Sequence, residues 1–259
     1  MRGNNMLGIL FSNSHDDKLR ELTEIRAMGS VPFGGRYRMI DFPLSNMVNS
    51  GINKVGVITK YNYQSLMDHL GSGKAWDLSR KREGLFMLPP FGNVSSMQNS
   101  RVESLASIEN FLKNSKEEFV VLSDCDSICN IDYTEVMAYH LDKGADVTVI
   151  YRYGDIPQGF SNPTVYTVDP EGRIRDMVIS PNTDGPCNYG MTMCLIRREL
   201  LMQLVAGCVS RNLYNFKRDL LQRHLRDFKF YGYEFTGVVK TICSMNSYFE
   251  ANMSLMLPK

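Results

Sequence analysis

Six cysteines and four histidines are the side chains of this sequence best suited to ligate zinc or to act as nucleophiles. No two cysteines form a Cys-x-x-Cys pair, no histidine is spaced close to them, and no Ser-His-Asp or Cys-His set can be assembled. Cysteines such as Cys194 stand within apolar runs, which indicates buried thiols in a reducing compartment. We therefore predict no zinc site and no catalytic triad or dyad.

Aromatic and basic residues in the first third of the chain indicate a second kind of chemistry, contact with a ligand. Tyr61 and Tyr63, with Trp76 nearby, are candidates for an aromatic binding face, and packing or an interface is the alternative interpretation. Residues 71–73 (Gly-Ser-Gly) precede a basic stretch at 74–82, and together they are a candidate effector contact. A solvated surface loop is the plainer interpretation of that stretch.

The elements that must position such side chains alternate along the first half of the chain. Apolar runs predict strands, and helical patterns bounded by Pro43, Gly51 and Gly71 predict the helices between them. The predicted strands are 6–11, 54–59, 119–123 and 146–151, and the predicted helices are 41–50, 63–70 and 133–143. This alternation predicts an α/β fold with a Rossmann-like, mixed but mostly parallel sheet and helices on both faces.

The second half of the chain predicts an antiparallel insertion. Runs at 164–167 and 173–179 flank Asp-Pro-Glu-Gly at 169–172, a hairpin-type turn signal. An amphipathic helix is predicted at 216–226 and a terminal helix at 247–257. No repeat or linker interrupts the sequence, so we expect one domain over residues 1–259.

Composition narrows the class of protein. The 259 residues are 43% hydrophobic and 22% charged, which is typical of a soluble globular domain. A net charge of +1 sets up no global field for nucleic acid or for an anionic membrane. No apolar run approaches the ~20 residues that span a bilayer, and no signal peptide is recognisable. We expect a cytoplasmic protein without nucleic-acid or membrane partners.

One long segment resembles a known signature. Residues 31–46 (VPFGGRYRMIDFPLSN) resemble the signature of bacterial ADP-glucose pyrophosphorylases, and further matches keep the order of that family over almost the whole chain. Residues 61–73 and 84–91 resemble its GlgD branch in particular. The resemblance implies a nucleotidyltransferase domain that joins ATP to glucose 1-phosphate, followed in the family by a left-handed β-helix domain. The sequence ends at Lys259, so we expect that second domain to be absent from it.

The resemblance also implies a phosphate-binding loop, and here its chemistry is altered. Backbone amides should cradle the triphosphate, yet residues 12–19 contain no glycine, and Asp16 and Asp17 add negative charge. Lys18 stands in place of the family's arginine. Met28 replaces a lysine and cannot donate a hydrogen bond to phosphate. A polar loop that caps the next helix is the alternative interpretation.

The implied Mg²⁺ site is half retained. Asp126 fits the first metal carboxylate, and Asp124 is a possible substitute; a turn residue after a strand is the alternative interpretation of Asp126. Thr241 stands where the second carboxylate belongs, and a neutral hydroxyl is a poor Mg²⁺ ligand. Active family members use Mg²⁺, and we expect none to bind tightly here.

The sugar pocket implied by the resemblance is also reduced. Only Ala106 remains of a Gly-Thr-Ala-Asp-Ala run, and Ile-Ser-Pro at 179–181 replaces Glu-Lys-Pro. Arg36, Arg38 and Asp219 keep their places and are the implied ligand contacts.

Framework positions of the family survive while chemistry-bearing ones are lost. This pattern predicts a regulatory, catalytically degraded GlgD-type subunit that associates with a catalytic homologue in a homo- or hetero-oligomer. One alternative is an active adenylyltransferase that uses Lys18, Asp124 and Asp126. Another is a module that senses a nucleotide or a sugar phosphate.

Overall fold

The computed structural model describes residues 5–13, 16–80, 83–89, 100–183 and 185–256, without the side chain of Lys18. The strands are β1 Met6–Phe11, β2 Pro32–Phe33, β3 Tyr37–Arg38, β4 Lys54–Ile58, β5 Gly84–Leu88, β6 Phe119–Asp124, β7 Ser127–Cys129, β8 Val147–Gly154, β9 Thr164–Val168, β10 Ile174–Ile179, β11 Cys187–Arg197, β12 Phe230–Glu234 and β13 Val239–Thr241. The α-helices are α1 Arg20–Thr23, α2 Asp41–Asn49, α3 Gln64–Leu70, α4 Arg101–Ser107, α5 Glu109–Lys113, α6 Tyr133–Asp142, α7 Arg198–Val209 and α8 Met245–Ser254. Within these residues every helix is too short or too polar to traverse a bilayer.

A mixed central sheet has the order β10-β9-β11-β6-β1-β4-β5, and β8 pairs with both β11 and β12. Strands β6, β1, β4 and β5 are parallel. Strand β11 runs antiparallel to β6, β8 and β9, and β9 and β10 form the predicted antiparallel hairpin. The mostly parallel α/β sheet with an antiparallel insertion is thus confirmed.

Strand β1 is apolar throughout because both faces of the sheet are covered. Leu7 and Ile9 point into a core shared with α4, α5 and α7, whereas Met6 and Leu10 point into a core shared with α2, α3 and α6. A strand with two buried faces reads as a continuous apolar run rather than as an alternating one. The register aligns Phe11 with Ile58 of β4 and with Asp124 of β6, so these three strands end side by side.

Two predicted helices differ in detail. Residues 216–226 do not form one α-helix: a π-helix at Phe216–Leu221 is followed by a 3₁₀ turn at Gln222–His224. The terminal helix begins at Met245 because Ser244 and Ser247 form a capping box that ends the preceding loop. Leu257, its predicted last residue, lies outside the described residues.

Candidate functional site

The loops that follow β1, β4 and β6 meet at one edge of the sheet. Ligands of open α/β sheets bind outside the carboxyl ends of the parallel strands. Here the loop after β1 carries Asn13 and Asp16, the loop after β4 carries Lys60, and β6 ends at Asp124. The predicted phosphate and metal positions therefore share one cleft, as the fold requires.

The phosphate-loop segment contains its own buried anion. Asp16 is 7% exposed. Its carboxylate accepts hydrogen bonds from Asn13 Nδ2 (2.7 Å) and from the backbone amide of Met28 (2.8 Å). Burial raises the pKa of Asp16, while these hydrogen bonds act in the opposite direction. The amide of Met28 is thus already used by the protein, and Asp17 beside it points to solvent.

The structure treats the two positions at which the family carries a phosphate-binding cation, Lys18 and Met28, differently. Met28 is fully buried and packs with Leu19, Val31 and Met39 in a third apolar core, so this position belongs to the fold rather than to the cleft. The side chain of Lys18 lies outside the described part of the structure, as do Ser14 and His15 of the same loop. A phosphate contact by Lys18 stays a prediction.

The cleft holds cations that the sequence did not identify. Lys60 has its pKa lowered chiefly by burial, and the charge of Asp16 partly offsets that effect. Arg101, the first residue of α4, forms an ion pair with the fully buried Asp124. Its guanidinium lies 4.5 Å from the ring centroid of Phe11 and 5.1 Å from that of Phe216. Such stacking holds the arginine in place, so the charge of Asp124 is compensated from within the protein.

The structure brings Asp126 and Thr241 together, as the family alignment implies. Strand β13 pairs with β7 so that Thr241 lies opposite Ser127, and the amide of Ile242 donates to the carbonyl of Asp126 (2.7 Å). Asp126 is 1% exposed, and its carboxylate accepts a hydrogen bond from Ser127 Oγ (3.0 Å). One carboxylate beside a neutral hydroxyl remains at the positions that should hold Mg²⁺.

This donor set does not fit a divalent metal. Asp124 is committed to Arg101, and Thr241 supplies no charge. Among the described residues, no cluster of three or more His, Cys, Asp or Glu side chains has a metal-binding arrangement. Mg²⁺ prefers carboxylates and substrate phosphates in near-octahedral geometry. That Mg²⁺ binds only weakly here stays a prediction.

The three implied ligand contacts lie in different surroundings. Arg36 is exposed in the turn between β2 and β3. Arg38 donates from Nη1 to the carbonyl and hydroxyl of Ser65, both at 2.7 Å, and so ties the β2–β3 hairpin to α3. Asp219 is 1% exposed and accepts from Arg218 Nε (2.9 Å), which holds the pKa of Asp219 below its usual value. Asp219 borders a separate surface cavity near Arg211. Their ligand roles stay predictions.

A cavity of about 380 Å³ opens at the cleft beside the β6 end. Its polar lining includes Arg101, Asp124, Asn162, Thr192, Asn215 and Lys217. Lys217 Nζ donates to the carbonyl of Asn162 (2.7 Å). Burial first, and then the charge of Arg101, lowers the pKa of Lys217. The sequence did not identify either cation, although Arg101 directly precedes the aligned residues 102–106 and Lys217 lies within the aligned run 216–219.

Comparison with known proteins identifies one matching family model and several similar proteins. The family model described as nucleotidyl transferase matches residues 8–253. The glycogen biosynthesis protein GlgD of Geobacillus stearothermophilus is 45% identical over 154 residues, covering 58% of this chain and 45% of the relative. GlgD of Bacillus subtilis is 29% identical over 260 residues, covering 100% of this chain and 66% of the relative. The glucose-1-phosphate adenylyltransferase of Thermotoga neapolitana is 32% identical over 260 residues, covering 98% of this chain and 61% of the relative.

These relatives confirm the resemblance to ADP-glucose pyrophosphorylases and to their GlgD branch. The chain spans less than two thirds of the length of each of them. The family model, in contrast, covers nearly the whole chain, from within β1 to within α8. The chain therefore belongs to the nucleotidyl transferase family.

Proposed function

We propose that this chain acts in glycogen biosynthesis as a GlgD-type subunit with little or no catalytic activity of its own. The observation that carries the proposal is the inward carboxylate of Asp16, which accepts the Met28 amide in the loop where a triphosphate would bind. A phosphate oxygen ~4 Å from that carboxylate would be repelled by about 4 kcal/mol at an effective dielectric near 20. Repulsion of this size weakens binding roughly a thousandfold.

The metal positions support the same proposal. Nucleotidyl transfer with Mg²⁺ relies on carboxylates that hold the ion against the phosphates of the nucleotide. Asp124 is neutralised by Arg101, and Thr241 cannot replace the missing carboxylate. The residue changes at the phosphate positions and at the metal positions both act on nucleotidyl transfer. Each therefore adds to the loss of catalytic activity caused by the other.

A partner would supply the missing chemistry. Two of the similar proteins are named as GlgD, and another as a glucose-1-phosphate adenylyltransferase. We propose that the chain associates with a catalytic homologue of the latter kind and changes its output through a coupling free energy across the interface. A preserved nucleotidyl transferase fold with an altered cleft suits such a role, because association needs the scaffold but not the chemistry.

The test is pyrophosphate release from ATP and glucose 1-phosphate with Mg²⁺. The chain is assayed alone, with a catalytic glucose-1-phosphate adenylyltransferase, and in a version extended to the length of its relatives. The proposal is supported if the chain alone releases no pyrophosphate and the mixture shows a raised or otherwise changed rate of release. Pyrophosphate release by the chain alone, above a mock-purified control, would instead favour the alternative that the chain is an active enzyme that uses Lys18, Asp124 and Asp126.

A second candidate role is the sensing of a small ligand without turnover. It is favoured by one observation, the cavity of about 380 Å³ that is bordered by the cations Arg101 and Lys217. Sensing and partnership are compatible, because a ligand bound in the cleft can bias the interface of the same subunit.

A further inference from the structure

A second cavity, of about 650 Å³, lies between the end of α7 and the 3₁₀ turn that follows the π-helix. It shares no lining residue with the cavity at the end of β6. Its volume falls within the range of small-molecule sites. Its titratable side chains, apart from a buried thiol, are Arg211, Asp219, Arg223, His224 and Asp227. The cavity is therefore a candidate binding site outside the cleft.

The two arginines of this cavity form no ion pair within the described part of the chain. There, Arg211 Nη1 donates to the carbonyl of Gly207 (2.8 Å), and the guanidinium of Arg223 makes no hydrogen bond. Burial and the charge of Asp219 raise the pKa of the Cys208 thiol, whereas the charges of Arg223 and Arg211 lower it. Both guanidinium groups thus lie near one buried sulfur atom. Each guanidinium has five N–H donors, so most of them remain for a ligand.

The two carboxylates of the cavity are already engaged. Asp219 is 1% exposed and accepts from Nε (2.9 Å) and Nη2 (3.2 Å) of Arg218, a residue outside the lining. Asp227 is exposed, and its carboxylate lies 2.9 Å from Nδ1 of His224. Since Arg218 neutralises Asp219, the two arginines of the lining outnumber the one remaining carboxylate. An anion would balance that charge.

The other part of the wall is apolar. Leu204 is 5% exposed, and Leu213 and Phe228 are partly buried against the core shared with α7. The ring centroid of Phe228 lies 5.9 Å from that of His224. An apolar group that covers this wall would remove it from water, which is favourable. A ligand that matches the whole cavity therefore combines a negative charge with an apolar body.

We propose that this cavity binds a small organic oxyanion, a phosphate or a carboxylate on an apolar body, with Arg211 and Arg223 as its anchors. Guanidinium groups bind both kinds of oxyanion through paired hydrogen bonds, which adds geometric specificity to the charge. Leu213 and Phe228 contact the apolar body. A bare inorganic ion satisfies the arginines but leaves this wall in contact with water.

The inference goes beyond the proposed function, because it requires neither a partner subunit nor the cleft. Arg211 follows α7, and Arg223 belongs to the turn after the π-helix, so a bound anion would join these two segments. Failure of this inference would leave the GlgD-type proposal in place, since that proposal rests on Asp16 and on the metal positions.

Calorimetric titration of the chain tests the site with phenyl phosphate, benzoate, inorganic phosphate and phenol, all without Mg²⁺. We expect saturable binding of at least one of the two aromatic anions, weaker binding of inorganic phosphate and no binding of phenol. The aromatic anion that binds more tightly identifies the charged group that the arginines prefer. Added salt should weaken the binding of either anion.

Four variants locate the binding. Arg211→Gln and Arg223→Gln, singly and combined, remove the anchoring charges. Arg226→Gln is the matched control, because Arg226 is exposed nearby but does not line the cavity. Lys217→Gln reports whether the anion binds in the cleft instead.

The combined variant should lose about tenfold or more in affinity, since charge-assisted hydrogen bonds disappear. Each single variant should show part of that loss, which keeps the comparison available if thermal melts show the combined variant to be unfolded. Arg226→Gln and Lys217→Gln should keep the wild-type affinity within a few-fold. No saturable heat with either aromatic anion, wild-type affinity in both arginine variants, or a comparable loss in Lys217→Gln would overturn the proposal.

Discussion

The carboxylate of Asp16 accepts the backbone amide of Met28 at 2.8 Å, twelve positions along the chain. Thr23 Oγ1 donates to the backbone carbonyl of Asp16 (2.6 Å), so the backbone of Asp16 is fixed as well. A loop that should receive an anionic ligand is instead closed by a side chain of the protein. The contact between Asp16 and Met28 therefore contributes to the stability of the fold. Its removal should lower the free energy of unfolding.

Asp16→Ala should lower the free energy of unfolding by about 1–3 kcal/mol, because the buried Met28 amide loses its acceptor. Glu21→Ala, at an exposed position of α1, should change it by less than about 0.5 kcal/mol. Urea unfolding at neutral pH measures both. Equal small effects would show that Asp16 is not held inward as the structure describes.

Arg101→Met should be more destabilising. It leaves Asp124, with no exposed surface, without its guanidinium in the interior, and breaking a buried ion pair by removing one partner costs about 3–5 kcal/mol. Adding Asp124→Asn to Arg101→Met should recover part of the loss, since the buried charge then disappears.

The control for that pair is Arg80→Met. Arg80 and Asp77 form a surface ion pair with a distance of 2.7 Å, and such pairs are worth about 0–1 kcal/mol. Comparable losses in Arg101→Met and Arg80→Met would mean that the Arg101–Asp124 pair is solvated rather than buried.

The framework of the site was predictable from apolar runs. Strands β1, β4 and β6 were predicted to within one residue, because strands with two covered faces are continuously apolar and stand out in the sequence. Strand β11 was not predicted, although an apolar run surrounds Cys194. Its antiparallel position beside β6 is evident only from the strand pairing in the structure. The π-helix could not be predicted either, since residues 216–226 show the pattern of an ordinary amphipathic helix.

The chemistry of the cleft was predictable only where a motif fixes the position. The juxtaposition of Asp126 and Thr241 followed from the family alignment and agrees with the β7–β13 register. The inward orientation of the Asp16 carboxylate could not be predicted. Two adjacent aspartates in a sequence do not show which of the two side chains is buried. The Arg101–Asp124 pair joins residues 23 positions apart and depends on how α4 lies over the end of β6.

A single restored carboxylate should not create an enzyme. Thr241→Asp places an acid in register with Ser127, next to Asp126, but Asp16 still closes the loop and Met28 is still buried. We expect no pyrophosphate release from ATP and glucose 1-phosphate above that of the unaltered chain. Lys240→Gln, on the neighbouring exposed position, lowers the net charge by the same one unit and is the control for it. Substantial release by Thr241→Asp alone would show that the loop matters less than its geometry indicates.

His140 should make the fold sensitive to acid. Its Nδ1 lies 2.8 Å from Thr148 Oγ1 in the core, and burial lowers its pKa to about 4 from an ordinary value near 6.5. The unfolded chain therefore binds a proton between these values while the folded chain does not. Stability is unaffected above pH ~6.5, falls as the pH drops toward 4, and loses about 3 kcal/mol in all from this group.

His140→Phe, which fills a similar volume beside Phe119, should flatten this part of the pH profile even if it lowers stability overall. Thermal or urea unfolding at several pH values between 4 and 7 measures the slope. His224→Gln is the control, because that ring lies at the surface beside Asp227 and its loss should leave the slope in place. A slope that survives in His140→Phe would show that groups other than His140 set the acid sensitivity.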